Sequence, residues 1–254
     1  MWHGDYRFLL SNLIQKDFKI RYRNMSLGVL WSLLNPLVTM GVLTVVFTVV
    51  WPNPDIKPFP IFLLCGLVPF NFFTLAWGTA TSSLADSAAI IKRVPVPREV
   101  IPISTVLGNC LHLLIQIALL LLCTLVFGKH INWNWLWMPY VWAMFVVFVC
   151  GLSLISSAVN IYVRDTRYVV ESFNAVLFWL VPIVYSGDKV PRKYVEIINL
   201  NPVAAVVQAM RKILMEATAP APSLLLNLTW CSLLILAVGI LVFRRMKQSF
   251  YDYL

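Results

Sequence analysis

Charge is what this sequence has least of. Only 12% of its 254 residues are charged, whereas a soluble domain carries about 25%. No Asp, Glu, Lys or Arg occurs in five long runs, residues 24–54, 58–85, 100–128, 130–163 and 217–243. A helix needs about 20 apolar residues to cross the hydrocarbon core, and each run exceeds that length. The sequence therefore excludes a soluble domain and predicts an integral membrane protein.

Motifs for enzymatic chemistry are also missing. The chain has no Gly-x-x-x-x-Gly-Lys-[Ser/Thr] phosphate loop and no His-Glu-x-x-His, and its histidines (His3, His112, His130) are scattered. We therefore expect no ATP, metal or other cofactor on this chain. The absence of carboxylates from the apolar runs disfavours an embedded glycosyl or phosphoryl transferase, and also a carrier driven by protons or sodium. If transport is active, its energy must come from another subunit.

The five cysteines point to neither a disulfide framework nor a redox site. All lie inside the apolar runs, with no Cys-x-x-Cys, so we interpret them as small core hydrophobes. The N-terminus shows no cleavable signal peptide, because Lys16, Lys19, Arg21 and Arg23 interrupt any early apolar region.

The apolar runs are continuous and do not alternate at period two, which favours helices over a β-barrel. The predicted fold is an all-α membrane domain, residues 1–254, with six transmembrane helices. The fifth must borrow from its flanks, because its uncharged core is only 172–187. The predicted spans are about 27–50, 61–83, 101–127, 135–160, 168–186 and 223–243.

The orientation follows from the distribution of Lys and Arg. With both termini in the cytoplasm, the segments on that side carry 13 basic residues and the outer segments carry 7. The positive-inside rule favours this arrangement. It also accounts for the net charge of +9 without a nucleic-acid partner. The exception is the outer segment 187–222, which holds five of the seven.

Residues 5–23 predict an amphipathic helix, too charged to span and suited to the headgroup plane. One side is apolar, and the opposite side carries Lys16, Lys19 and Arg23, with Arg21 nearby. These four basic residues are candidates to bind phosphate groups of a lipid-linked substrate. The alternative is attraction to anionic lipid, which also sets topology.

The loop 84–98 predicts a short cytoplasmic helix, which Asp86 or Ser87 caps and Pro95 and Pro97 end. It carries Ile90, Ile91, Lys92 and Arg93. Two adjacent isoleucines exposed there favour docking into a partner. The alternative is an ordinary positively charged connector.

The outer segment 187–222 contains its own helix signal. Asn201 is a cap and Pro202 a first-turn proline. An apolar stripe follows, formed by Val203, Val206, Val207, Met210, Ile213 and Leu214. With residues 193–198 before it, the segment predicts two short helices that re-enter the outer leaflet. A plain extracytoplasmic hairpin is the alternative.

Aromatic and amide side chains within the spans are candidates to line a path. Sugar rings pack on aromatic faces through their C–H surfaces, so such a lining suits a glycan. The alternative is that these aromatics face lipid or anchor at interfaces. His112, within the third span, is a further candidate, or else a neutral imidazole bonded to a neighbouring helix. The channel candidates are Trp31, Asn35, Phe70, Phe72, Phe73, Trp179 and Tyr185.

Seven motifs in order resemble one family across nearly the whole chain. They are Lys16-Asp-Phe-Lys-Ile-Arg-Tyr-Arg23, Leu27-Gly-Val-Leu-Trp-Ser-Leu-Leu-Asn-Pro36, Gly66-Leu-Val-Pro-Phe70, Ile90-Ile-Lys-Arg-Val-Pro-Val-Pro-Arg98, Asn160-Ile-Tyr-Val-Arg-Asp165, Pro182-Ile-Val-Tyr185 and Asn201-Pro202. The chain resembles the permease subunit of ABC-type polysaccharide exporters, with the O-antigen branch nearest. Teichoic-acid and capsule exporters are close behind.

This resemblance implies a non-enzymatic subunit of the bacterial inner membrane. It implies a homodimer with two cytoplasmic ATPase subunits, which carry the ATP and Mg, and a lipid-linked polysaccharide as substrate. It makes 1–26 an interface helix, 84–98 a coupling loop and 187–222 an outer gate, with Asn201, Pro202, Val206 and Met210 as gate residues. An ATP-independent channel or lipid-sugar flippase is the alternative from another class.

Overall fold

The computed structural model describes residues 6–22, 30–50, 56, 58–93, 97–187, 193, 198 and 200–250. Across these residues the regular structure is entirely helical, which confirms the predicted class. The α-helices are α1 Tyr6–Tyr22, α2 Trp31–Val45, α3 Phe59–Asp86, α4 Ala88–Arg93, α5 Val100–Val126, α6 Trp137–Tyr162, α7 Thr166–Leu180, α8 Pro202–Leu214 and α9 Pro222–Met246.

Five of the predicted spans are confirmed as helices long and apolar enough to cross a membrane. The spanning stretches are Trp31–Val50, Phe59–Asp86, Val100–Val126, Trp133–Tyr162 and Pro222–Met246. The first is α2 extended by a π-helical turn, and the fourth is α6 preceded by a 3₁₀ turn.

The remaining predicted span, 168–186, corresponds to α7, which has 15 residues and ends at Leu180. At 1.5 Å per residue such a helix is about 22 Å long, short of the roughly 30 Å hydrocarbon core. Val181 leaves the helix with φ −81° and ψ 133°, as expected for a residue before proline. The chain then continues without regular structure, with Val181, Ile183 and Val184 buried.

α3 lies at the centre of the bundle and packs against α2, α5, α6, α7 and α8. Its aromatic side chains build the core together with those of α6. Phe72 lies 5.8 Å from Phe145, and Phe73 lies 6.2 Å from Phe148, between ring centroids. Between the same two helices, the Trp77 indole donates a hydrogen bond of 3.1 Å to Ser156 Oγ.

α6 and α9 pack closely because glycines face each other at their crossing. A Cβ on Gly151 would lie 2.6 Å from the Leu236 nitrogen, and one on Gly239 would lie 2.5 Å from the Gly151 oxygen. No side chain fits at either position without moving backbone. This is the small-residue packing by which helices associate in a bilayer.

Candidate functional site

A cavity of about 620 Å³ with several polar side chains in its wall opens between α2, α3, α5 and α7. Its walls carry amide, hydroxyl and imidazole groups, although each of these helices is predominantly apolar. The lining residues are Trp31, Ser32, Asn35, Asn71, Thr74, Leu75, Gly78, Thr79, His112, Gln116, Glu171 and Asn174. Polar groups inside a membrane protein are costly and mark pathways or binding sites, so this cavity is the candidate site.

Hydrogen bonding at the cavity wall is incomplete. The Nε2 atoms of His112 and Gln116 lie 3.0 Å apart, so an amide N–H that donates to the ring requires the neutral imidazole. Gln116 lies one turn further along the same helix. Gln116 and Asn174 are 2% and 8% exposed, yet Gln116 Oε1 and Asn174 Oδ1 accept no hydrogen bond. Unpaired buried acceptors cost about 1–3 kcal/mol each, so the packing of these two side chains is not optimised for stability alone.

The lining contains one charged residue, Glu171. Arg167, one turn earlier on α7, is fully exposed and lies outside the lining. Its guanidinium donates a 2.8 Å hydrogen bond to the Tyr168 hydroxyl, and this bond raises the pKa of Arg167. No basic residue is among those that form the described wall.

The cavity lies toward the end of the bundle that carries α4. It is lined by the first turns of α2, by residues 71–79 of α3, and by residues near the middle of α5 and α7. These portions are adjacent because α3 ends, and α5 begins, beside α4. The predicted orientation makes this the cytoplasmic half.

Two of the predicted channel residues, Trp31 and Asn35, line this cavity. Phe70, Phe72 and Phe73 lie elsewhere, with exposures of 6%, 0% and 1%, packed against other rings of the core. Trp179 is 67% exposed on α7. The Tyr185 hydroxyl donates at 3.2 Å toward the carbonyls of Trp179 and Leu180, which end α7.

Most of the polar residues in the cavity wall were not predicted from the sequence. An available signal was the isolated polar residue inside an apolar run, such as Asn71 in α3 or Gln116 in α5. Isolated Thr and Ser are common in transmembrane helices, where their hydroxyls bond to the preceding turn, so the sequence does not separate cavity residues from satisfied ones. The wall residues not singled out were Ser32, Asn71, Thr74, Thr79, Gln116, Glu171 and Asn174.

The predicted coupling loop contains the expected short helix, α4. Ser87 starts it, since its carbonyl accepts the Ile91 N–H at 3.0 Å, whereas Asp86 accepts a 2.8 Å bond from Ser82. The expectation that Ile91 is exposed is wrong. Ile91 is 4% exposed and packs in the chain's own cluster with Leu84, Ile101, Phe243 and Phe250. Lys92 is exposed, and the side chains of Ile90 and Arg93 lie outside the described part.

A hydrogen bond and an ion pair connect the end of α9 to the residues that follow α4. The Arg98 guanidinium donates a 2.9 Å bond to the Lys247 carbonyl, and Lys247 Nζ lies 3.3 Å from a Glu99 oxygen. Tyr162 donates a 2.6 Å bond to the Met246 carbonyl, and Phe250 is fully buried. These contacts join the residues just before α5 to α9, and α6 to α9, at one end of the bundle.

The start of α8 is as predicted. Asn201 Oδ1 accepts the Val203 N–H at 3.0 Å, and Pro202 occupies the first turn. The predicted apolar stripe is buried, with Val206 and Met210 at 0% exposure. Of the preceding predicted helix at 193–198, only residues 193 and 198 are among those described.

α8 also carries a buried cation, Arg211, which the sequence analysis counted as an ordinary basic residue of the outer segment. It is 8% exposed, and its Nη2 donates a 2.8 Å bond to the Ile183 carbonyl. Its guanidinium carbon lies 3.4 Å from the Phe62 ring centroid. Burial lowers the pKa of Arg211 to about 10, so it remains charged at neutral pH and holds α8 to the non-helical segment after α7.

The predicted N-terminal helix is confirmed as α1, which packs on α5. Lys16 is half-buried and Lys19 is exposed. The side chain of Arg21 and all of Arg23 lie outside the described residues. Among the residues that the structure describes, no three His, Cys, Asp or Glu side chains come together to hold a metal ion.

The family follows from comparison with known proteins. The profile of the ABC-2 type transporter family matches residues 9–215, which include α2 to α8. The chain therefore belongs to the ABC-2 type transporters, as a multi-pass membrane permease. It is a transport subunit, and such permeases do not hydrolyse ATP themselves.

Individual relatives match almost end to end. An O-antigen export system permease protein of Klebsiella pneumoniae is 31% identical over 247 residues, 97% of this chain and 95% of that protein. A Myxococcus xanthus protein of the same description is 28% identical over the same shares. The polysialic acid transport protein KpsM of Escherichia coli is 25% identical over 93% of each chain.

Proposed function

We propose that this chain is the membrane permease of an ATP-driven exporter of lipid-linked polysaccharide, with O-antigen as its substrate. The observation that carries the proposal is the similarity to O-antigen export permeases over 97% of the chain. The polar cavity supports it, because a glycan needs hydrogen-bonding groups along its path through the bilayer. Capsular polysaccharide and teichoic acid are the alternative substrates.

The energy reaches this subunit through α4 in our proposal. An ABC permease requires a partner ATPase, and α4 lies at the end of the bundle where α3, α5, α6 and α9 meet. Because Ile91 points into that cluster, Lys92 and the side chains of the opposite face would meet the ATPase. A push on α4 would then move four spanning helices together.

The opposite end acts as the outer gate in this proposal. α7 followed by residues 181–186 completes a sixth crossing, since non-helical backbone is tolerated in a bilayer where protein covers it. Gly66 permits the close approach, because a Cβ there would lie 3.0 Å from the Ile183 side chain. Arg211 joins this segment to α8, so that both move as one unit when the gate opens.

Two copies of the chain form the transporter in this proposal. The cavity is flanked by exposed apolar faces of α2 and α7, which include Val38, Val42, Phe173 and Val176. A second copy that packs against these faces would close the path from the side. Both termini would lie in the cytoplasm, in a bacterial inner membrane.

The basic residues of the first helix serve the lipid anchor in this proposal. A pyrophosphate-linked lipid carries its charge at the headgroup, where an amphipathic helix lies. Replacing Arg21 and Arg23 with Gln should therefore make lipid-linked polymer accumulate inside the cell, while insertion and basal ATPase activity stay intact. If export is normal in this variant, these arginines set the topology and do not bind the substrate.

The export function is tested in cells from which the gene is deleted. Lipid-linked polymer should accumulate on the cytoplasmic side, and the chain together with its ATPase partner should restore surface polymer. The matched control supplies the same chain with an ATPase unable to hydrolyse ATP, and should restore none. Surface polymer in that control would favour the ATP-independent channel or flippase.

A further inference from the structure

We propose that the cavity between α2, α3, α5 and α7 binds uncharged saccharide units and rejects polyanionic ones, so that this chain itself contributes to substrate choice. The inference rests on the proposed export function and names the substrate class within it. It distinguishes neutral from polyanionic polymers, which similarity to other permeases over the whole chain does not do.

Hydrogen-bonding groups surround the cavity. Seven amide or hydroxyl side chains and one imidazole reach it from four helices. Among the amides, Asn35 is exposed and Asn71 is half-buried. Sugar hydroxyls donate and accept, so they satisfy such groups without a charged partner. The 620 Å³ volume is within the range of ligand pockets.

One wall of the cavity has a shape that suits a sugar ring. Trp31 lies in the lining and is 53% exposed, which leaves a face of its indole for the C–H surface of a sugar ring. Its neighbour Asn35, one turn further along α2, offers an amide beside it. An aromatic face next to a hydrogen-bonding amide suits a sugar, which is apolar on one side and hydroxylated at its edge.

The described lining of the cavity carries a negative charge. Glu171 is the one ionisable acidic group of the described lining, and no Lys or Arg is present to offset a second negative charge. A carboxylate or phosphodiester in every repeat would lie beside the Glu171 carboxylate, and like charges that share a site repel each other. The lining therefore favours neutral polymers over polysialic or teichoic ones.

The test measures protection of a cysteine at the cavity in the assembled permease–ATPase complex in lipid nanodiscs. Asn35→Cys is placed in a background where Cys110, Cys123 and Cys231 are replaced and the buried Cys65 and Cys150 are kept. A small uncharged maleimide reports access. Three probes of equal length are compared: a neutral mannose oligosaccharide, oligosialic acid, and the same oligosialic acid with its carboxylates methyl-esterified.

We expect the mannose oligosaccharide and the methyl ester to slow labelling at position 35 at least fivefold, and the unmodified acid to leave it within twofold. Labelling of Trp133→Cys, exposed at the other end of the bundle, should not change with any probe. In a Glu171→Lys variant the unmodified acid should protect position 35. The matched control is Asp165→Asn, which changes an exposed carboxylate before α7. In this variant the mannose oligosaccharide and the methyl ester should still slow labelling, and the unmodified acid should still not do so.

Equal protection by the acid and its ester would overturn the inference, as would an absence of protection by every probe. A complex that restores export in cells but fails this test retains the proposed function and loses the neutral-sugar site. If the complex does not restore export in cells, the proposed export function itself is refuted. If the Asn35→Cys protein is not recovered in folded form, Thr74→Cys on the facing wall takes its place with the same expected order.

Discussion

α3 and α2 have almost the same apolar character and opposite surroundings. Their most apolar stretches have mean hydropathies of 1.9 and 2.1, yet 78% of the first is buried within the chain and only 6% of the second. In water an exposed helix such as α2 would be unstable. In a bilayer the lipid tails are as apolar as the core, so hydropathy identifies a spanning helix without saying what covers it.

The difference lies in small and polar residues. The buried helices meet through glycines and hydroxyl contacts, such as Gly151 with Gly239 and the 2.8 Å contact of Thr81 with Ser156. α2 instead carries Trp31, Ser32 and Asn35 toward a cavity. We therefore expect the contacts among α3, α6 and α9 to carry most of the stability, and the face of α3 that meets α2, α5 and α7 to serve transport.

The largest effect is expected at the closest contact among α3, α6 and α9. Gly151→Val would drive a side chain into the backbone of α9 and should remove most of the folded protein, a loss above about 4 kcal/mol. Gly41→Val on α2 is the matched control, because nothing lies within 4 Å of its Cβ position. Thermal unfolding in detergent measures both. Similar melting temperatures for the two variants would contradict this expectation.

A smaller loss of stability is expected in α4, where Ile91 is buried and the adjacent Lys92 is exposed. Ile91→Asp buries a carboxyl group in the cluster around Phe243 and should cost about 3 kcal/mol. Lys92→Asp changes an exposed residue and should preserve the melting temperature while weakening co-purification of the ATPase. If Ile91→Asp is as stable as the wild type, the assignment of α4's faces is wrong.

The smallest of the three stability changes is expected at the outer end. Arg211→Lys keeps the charge but loses the planar stacking on Phe62, at a cost of about 1–2 kcal/mol. Lys212→Arg is the control next to it, since Lys212 is 46% exposed and its ion pair with Glu216 is a surface pair, with an effect within about 0.5 kcal/mol. Denaturant or thermal unfolding distinguishes them, and equal effects would refute the buried role of Arg211.

Local chemistry was predictable from the sequence, and long-range placement was not. Asn201–Pro202 starts a helix because an amide cap and a first-turn proline act within four residues. The end of α7 was predicted wrongly, because the predicted span ran to residue 186 although Pro182 disfavours a helical Val181. By contrast, Arg211 is buried through Phe62 and Ile183, which lie far away in sequence, and nothing near Arg211 indicates this.

The same limit applies to the candidate site. Trp31 and Asn35 were selected for their chemistry and do line the cavity. Phe72 and Phe73 were selected on the same grounds and lie in the core. An aromatic residue in a spanning helix serves either purpose, and the choice is made by the neighbouring helix that it meets. Ile91 shows the same ambiguity, because a six-residue helix has no periodicity long enough to define its buried face.

The central claim, that substrate passes along the polar cavity, is tested most directly by site-specific photocrosslinking in cells that make the lipid-linked polymer. A photoreactive amino acid is placed at Asn35 on the cavity wall, or at Leu114, which is 60% exposed and lies between His112 and Gln116 on the other side of α5. With the ATPase arrested in hydrolysis, position 35 should crosslink to the polysaccharide and position 114 should not. Polymer attached equally at both positions, or only at position 114, would contradict the account.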